Sequence, residues 1–549
     1  MATACEITNT SPTAPSAPSS PPRPLHLDDA PVRTDHSLNM KQDLYREWRV
    51  LPVSCLTSIA TVIGSGILAL PVTLYNTAIP VFLILFTVTL LAQIAVIYAV
   101  VELLQRARDH SHTVQNTTDF LEEPHSPTPS SESDTPSSPQ YDSIPDTPKP
   151  ADISLFTLAH LYLSSPFLRY LYYVTTILCF ISMLVSYGLA GPQAVWQLLT
   201  AGPSQSHPPH ALFAGYWAVG TGAVIFFVDY LLGVFGSFTV LKGVLFVGVV
   251  VIVAALPPSA RVSQLSTLLS DFSGWGHAAT PFLMSCVALG GLANTMPVTY
   301  RLLPQKPSAR QVKRYRLSIV LAAVFCYLLN IGWVIAVLQV VRRKDLTGGP
   351  SLTNAYLKGQ ISTVPLIDAL HFGHAVTGGV LRAIETIVEL FILVSTGVSF
   401  FVMAAGMKSF VDGGLHVLQH GTGMDRGWKK LVPIVVAYTL TFGSVVTIIL
   451  ANPNGFIAVL TRFSSFALNL QGALLVFIML LTARTMRKGL TTVEDGSASG
   501  HTSSGSSIPA EMSAGFSGSL IVFGILFFGT ACLIAAVGPF LGINLSARE

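Results

Sequence analysis

Apolar runs of about 20 residues recur along this chain, each closed off by polar, basic or proline-rich stretches. They fall at 51–76, 80–104, 168–199, 211–231, 239–257, 278–301, 317–341, 377–406, 431–450, 455–482 and 516–541. A hydrocarbon core of about 30 Å is crossed by about 20 helical residues at a rise of about 1.5 Å each. The pattern therefore predicts an all-α polytopic membrane protein with about eleven transmembrane helices. The third run is long enough to tilt or to project beyond the bilayer.

The polar stretches divide the rest. Residues 1–50 carry too little apolar surface to offset the entropy of ordering and read as a disordered cytosolic tail ahead of a transmembrane domain at 51–541. They lack a basic segment followed by a short apolar one, so no cleaved signal peptide is expected. Residues 105–152 read as a disordered cytosolic loop between the second and third helices. This loop holds Ser126-Pro127, Thr128-Pro129, Thr135-Pro136, Ser138-Pro139 and Thr147-Pro148 among acidic residues. Proline-directed kinases are its expected partners, each phosphate adding up to about two negative charges beside the membrane. Residues 489–513 form a Ser/Gly-rich linker, and 542–549 a short non-cytosolic end.

Basic residues set the orientation. Arg46, Arg49, Arg106, Arg108, the 301–316 stretch, Lys408, Lys429, Lys430, Arg484, Arg487 and Lys488 all fall on one side if the N-terminus is cytosolic. Arg342, Arg343 and Lys344 dissent.

Composition agrees: 51% of the 549 residues are hydrophobic and only 11% charged, with a mean hydropathy of +0.58. A soluble domain carries about 25% charged residues. Five of the six cysteines lie in apolar runs and read as packing residues, with no disulfide framework or metal site. Histidines such as His110, His112, His207 and His210 sit in tails and loops, so no intramembrane pair of nucleophile and base stands out and no enzyme activity is expected. The expected partners are the lipid bilayer and a small solute, with no nucleic acid.

Two runs carry chemistry. In the first, Ile63-Gly64-Ser65-Gly66-Ile67-Leu68-Ala69-Leu70-Pro71 places two glycines near mid-span and a proline soon after. Glycine admits non-helical backbone angles and proline removes a donor, so an interrupted helix is expected. Such a break is tolerated only beside protein or a polar cavity, and it creates an internal N-terminus whose amides face the gap. A small-residue packing seam is the alternative. The sixth run repeats the pattern as Leu289-Gly290-Gly291-Leu292-Ala293-Asn294-Thr295-Met296-Pro297, with Asn294 placed to cap a second half-helix. Two interrupted helices separated by four intact ones are the pattern of an inverted-repeat carrier with its site at the breaks.

The segment Gly64–Pro71 resembles the first-helix signature of the amino acid/auxin permease family, within the amino acid–polyamine–organocation superfamily. The resemblance extends over 51–541 apart from the 105–152 insert. It implies a five-plus-five inverted-repeat core with broken helices 1 and 6, one extra helix, and secondary active transport of amino acids driven by protons or sodium. On the same ground, Gly64, Ser65 and Gly66, with Gly290, Gly291, Leu292 and Ala293, are expected to hold the substrate's amino and carboxylate groups; Asn294 joins them as the cap. No prosthetic group is implied. An amino acid-sensing receptor on the same fold and a structural membrane subunit remain alternatives. The polar tail weakly favours a vacuolar or lysosomal membrane over the plasma membrane.

The eighth run offers two coupling candidates. Ser395 and Thr396 (with Ser399 nearby) could face the carbonyls freed before Gly64, an arrangement resembling the ion site of sodium-coupled relatives. Hydroxyls in helices also bond their own preceding turn. Arg382, Glu385 and Glu389 share a helix face; Arg382 can pair with Glu385, leaving Glu389 as a proton-coupling carboxyl.

Overall fold

The computed structural model describes residues 51–121, 153–200, 209–256, 270, 274–304, 307–344, 350–372, 378–422, 428–452, 456–494 and 514–537. Expectations for the leading tail, most of the proline-rich loop, the Ser/Gly-rich linker and the chain end lie outside these residues. The chain is an all-α polytopic membrane protein: among the described residues ten helices are long and apolar enough to cross a bilayer, and a bent pair taken as one span makes eleven. Among the described residues the nearest thing to a strand is one isolated bridge between Arg342 and Ser351.

Span one is α1 (Leu51–Val62) and α2 (Ser65–Thr73), bent by 42° at the break between them. Span two lies in α3 (Ile79–Leu121), followed by a short α4 (Leu155–Tyr162), and span three is α5 (Pro166–Thr200). Spans four and five, His210–Phe227 and Gly236–Val253, share α6 (His210–Ala254). Span six is again divided, into α7 (Ala279–Leu289) and α8 (Leu292–Tyr300). Span seven is α9 (Ala309–Val340), after which come α10 (Leu352–Leu357) and α11 (Thr363–Phe372). Span eight lies in α12 (Gly378–Thr422) and span nine in α13 (Trp428–Ala451). Span ten joins α14 (Phe456–Ala458), α15 (Ser465–Asn469) and α16 (Leu475–Glu494) through π-helical stretches at Val459–Ser464 and Leu470–Leu474. Span eleven is α17 (Ala514–Val537).

The architecture repeats with an offset of five spans. Broken span one matches broken span six, and the short α4 after span two matches α10 and α11 after span seven. Because five is odd, the second set enters the bilayer from the opposite face, which is the inverted repeat. Spans four and five run along span eight in opposite directions, so the chain turns between them. Tyr216 and Gly220 lie along Gly397 and Phe400 of span eight in ascending order. Lys242 and Phe246 meet Ser399 and Phe391 in descending order.

One boundary differs from the sequence expectation. The 105–152 loop begins later, because α3 continues as helix to Leu121. Residues 105–121 contain neither Gly nor Pro, so nothing in them interrupts the hydrogen-bond ladder. At this basic end, Glu102 takes bonds from Arg106 and from Arg484 of span ten, while Arg108 donates to the carbonyls of Tyr300 and Pro304. Span two thus ties spans six and ten together where the basic pattern places the cytosol.

Candidate functional site

The two breaks are built differently. At the first, Gly64 has φ −127° and ψ −143°, a non-helical conformation that ends α1, and its amide reaches back to the Val62 carbonyl at 2.8 Å. The last carbonyls of α1 have no helical partner and need other donors. Span eight supplies them: Ser395 Oγ donates to Ile63 O at 3.1 Å, and Ser399 Oγ donates to Ala60 O at 2.8 Å and Ile63 O at 3.1 Å. Span five adds a lysine. Lys242, with no exposed surface, donates from Nζ to Ala60 O at 3.1 Å, Ser395 O at 3.3 Å and Ser399 Oγ at 2.8 Å.

A side chain with a formal charge in mid-span is costly unless its surroundings solvate it. Here carbonyl and hydroxyl oxygens surround the nitrogen as they would surround a hard cation. The polar groups freed by the break and the buried Lys242 nitrogen satisfy each other through hydrogen bonds.

Beyond the break, α2 is anchored separately. Gly66 lies so close to α7 that a Cβ there would come within 2.7 Å of the Ala288 Cα. Farther along, Ser362 N donates to Leu68 O at 2.9 Å, Trp333 Nε1 donates to Ser362 Oγ at 3.2 Å, and the Tyr75 and Tyr356 rings meet at 4.9 Å. The halves of span one are therefore gripped by different parts of the molecule, α1 by spans five and eight, α2 by α7 and the α10–α11 segment. Tyr187 of span three stands over the break itself, since a Cβ on Gly64 would collide with its hydroxyl.

At the second break, Gly291 has φ +86°, the left-handed region that a side chain opposes, and it starts α8 without a side-chain cap. Asn294 does not cap the half-helix. Its Nδ2 points to Cys179 Sγ at 3.4 Å, and its Oδ1 accepts from Gln471 Nε2 at 3.0 Å, which also contacts Tyr172 OH at 3.3 Å. The achiral Gly291 turns the chain sharply, so the side chain three residues on faces spans three and ten instead of the first amides. Thr61 of α1 meets Thr295 of α8 at 3.3 Å, linking the two half-helices on the same side of the breaks.

The structure thus gathers Gly64, Gly66, Gly290, Gly291, Leu292, Ala293 and Asn294 around the paired discontinuities, with the Ser65 backbone starting α2. Ser395 joins them through the Ile63 carbonyl. Thr396 does not, because its hydroxyl bonds Ile392 O at 2.8 Å and Leu393 O at 3.3 Å in its own helix. Glu385 pairs with His371 of α11, not with Arg382, which is exposed. Glu389 is half-buried one turn farther along that face.

Sequence reading missed Lys242, although a lysine inside the 239–257 run is itself a signal. Gln471 was legible in the same way, as an amide inside the 455–482 run. Tyr172 and Tyr187 gave no such signal, being ordinary residues of a span rich in tyrosine.

No family model matches the chain, and no curated protein does. The chain is similar to solved structures of the Eremococcus coleocola manganese transporter. A mutant of that protein aligns over 91% of this chain and 90% of its own, at 9% identity and a TM-score of 0.46. Its complex with an aromatic bis-isothiourea substituted compound aligns over the same shares at 12% identity and a TM-score of 0.46.

Proposed function

We propose that the chain is a secondary carrier that moves amino acids by alternating access, with substrate between the two breaks and a proton on Lys242 as the coupled ion. Two half-helix N-termini, of α2 and α8, and two C-termini, of α1 and α7, meet at one level of the bundle. Amides at the first pair suit a carboxylate and carbonyls at the second suit an ammonium, so a zwitterion complements both. The resemblance of Gly64–Pro71 to amino acid/auxin permeases supports the same substrate class.

The observation that carries the coupling is the Lys242 ammonium among the oxygens of Ala60, Ser395 and Ser399. A protonated Lys242 there takes the place that a sodium ion would need. Protonated, Lys242 holds α1 against spans five and eight; the neutral amine has one fewer donor and no charge, and releases that grip. Divalent-cation transport would call for carboxylates or imidazoles converging at the breaks. Among the described residues no cluster of His, Cys, Asp or Glu is arranged to hold a metal.

The test is uptake of labelled amino acids into proteoliposomes of the purified full-length protein. An inward acid gradient is expected to drive accumulation, and a sodium gradient at equal pH is not. Sodium-driven accumulation would overturn the coupling assignment. Saturable binding without flux would favour a sensor, and neither binding nor flux a structural subunit.

A further inference from the structure

We infer that span ten reads the substrate's side chain through Gln471 and Ser464, and selects amino acids whose side chain is uncharged and forms hydrogen bonds. This rests on the carrier reading and deepens it. Ser464, Leu468 and Gln471 recur at intervals of four and three residues, which sets them on one face of the span. That face lies along the second break: the Leu468 side chain would be 3.2 Å from a Cβ on Gly290, and Gln471 bonds to Asn294 in the first turn of α8.

Both polar members have an unmet atom. Gln471 and Ser464 are fully buried, and Gln471 Oε1 and Ser464 Oγ lack a hydrogen-bond partner. Turning the Gln471 amide over does not remove the deficit. Its nitrogen side already serves Asn294 and Tyr172, so reversal leaves the nitrogen unmet in place of the oxygen. Burying such an atom unpaired is costly, and few are kept without a role. Ser464 closes one π-helical stretch and Gln471 lies in the other. π-Helical turns widen the helix and recur at functional sites.

The two unmet groups flank the point where span ten touches the break, with an apolar Leu468 between them. A side chain extending from a substrate held at the breaks meets them there. Gln471, Asn294, Tyr172, Cys179 and Ser464 carry no formal charge, so nothing in this group balances a charged side chain. A reversible amide suits a carboxamide or hydroxyl, and an aliphatic side chain leaves it unpaired, a mismatch that polar sites reject strongly.

The experiment compares kcat/KM for glutamine, serine and leucine in proteoliposomes of the full-length protein. The unmodified protein is expected to prefer glutamine or serine to leucine by about tenfold or more. Gln471→Leu should lower that preference about tenfold, with glutamine and serine transport falling further than leucine transport. Ser464→Ala should reduce the preference in the same direction and serves if the leucine variant fails to fold. A water-filled structural pocket would instead lower all substrates together. That result, or amino acid uptake without the preference, overturns this inference alone. Absence of uptake for every amino acid overturns the carrier reading and this inference with it.

Discussion

The two breaks occupy equivalent places in the repeat and have been resolved in opposite ways. At the first, the protein supplies its own cation: Lys242, Ser395 and Ser399 meet the carbonyls of Ala60 and Ile63. At the second, a left-handed glycine makes the turn, and polar atoms of span ten beside it stay unmet. A filled break can grip or release a half-helix according to the charge on the filler. An unfilled one can pair with a ligand. On the proposed reading the repeat separates coupling from recognition, and substitutions can show whether that division holds.

Lys242→Met should have the largest effect. It removes the three bonds from Nζ, each worth about 1.5–3 kcal/mol if the donor is charged, although Ala60 O keeps Ser399 Oγ and Ser395 O keeps its helical partner. Gradient-driven uptake should fall by about a hundredfold or more, the loss of two such bonds already being worth that much. The comparison sharpens if a smaller residue reopens the place: Lys242→Ala should acquire thermal stabilisation by sodium that the unmodified protein lacks. Normal proton-driven uptake in the methionine protein, at normal abundance, would show that the filled break is only structural.

Next comes a contrast within the first break. Gly66→Val should destabilise the fold, since overpacking costs about 1–3 kcal/mol or more and the obstacle is the Ala288 backbone, 2.7 Å away. Gly64→Ala meets instead the far end of the Tyr187 side chain, which can swing aside. It should fold, with substrate affinity lowered about tenfold as Tyr187 is displaced. Equal melting temperatures for the two variants would contradict the assignment of Gly66 to packing and Gly64 to the gap.

That contrast bears on what was legible. Run lengths were enough for the eleven spans, because crossing a bilayer is a one-dimensional requirement on length and polarity. The Gly64-Ser65-Gly66 signature predicted either a break or a packing seam, and the fold uses both, two residues apart. Partnerships were not legible, since they depend on rotation about each helix and on depth. Glu385 suited Arg382 by spacing, but His371 arrives from α11. Asn294 suited a cap by position, but the turn at Gly291 sends its side chain to span ten. Lys242 was visible as an anomaly, though its partners, 153 to 182 residues away along the chain, were not.

A smaller effect is expected at the second break. Gly291→Ala places a Cβ on a residue at φ +86°, which costs about 1 kcal/mol. The nearest obstacle, at 2.9 Å, is the flexible end of Met403, so the steric part should relax. The expected result is a modestly lowered melting temperature with transport retained. Complete loss of folding would mean that the second break is as rigidly held as the first.

The smallest effect separates two adjacent hydroxyls of span eight. Ser395 reaches across to Ile63 O at 3.1 Å, whereas Thr396 bonds Ile392 O at 2.8 Å in its own helix. The Ile392 carbonyl already has its helical partner, so Thr396→Val removes a redundant bond while preserving shape. Its cost should be at most about 0.5–1 kcal/mol, with the proton dependence of uptake unchanged. Ser395→Ala removes a donor to a carbonyl that the break has left exposed. Ser399 still serves that carbonyl at 3.1 Å, so the loss is partial, about 1 kcal/mol, and it should shift the proton dependence because the Ser399 hydroxyl that takes over also accepts from Lys242. Proton titration of uptake for the two variants at matched abundance decides the matter. If Thr396→Val shifts the titration and Ser395→Ala does not, the coupling centre lies on the Thr396 side of span eight, toward Glu389, and the division of labour between the two breaks fails.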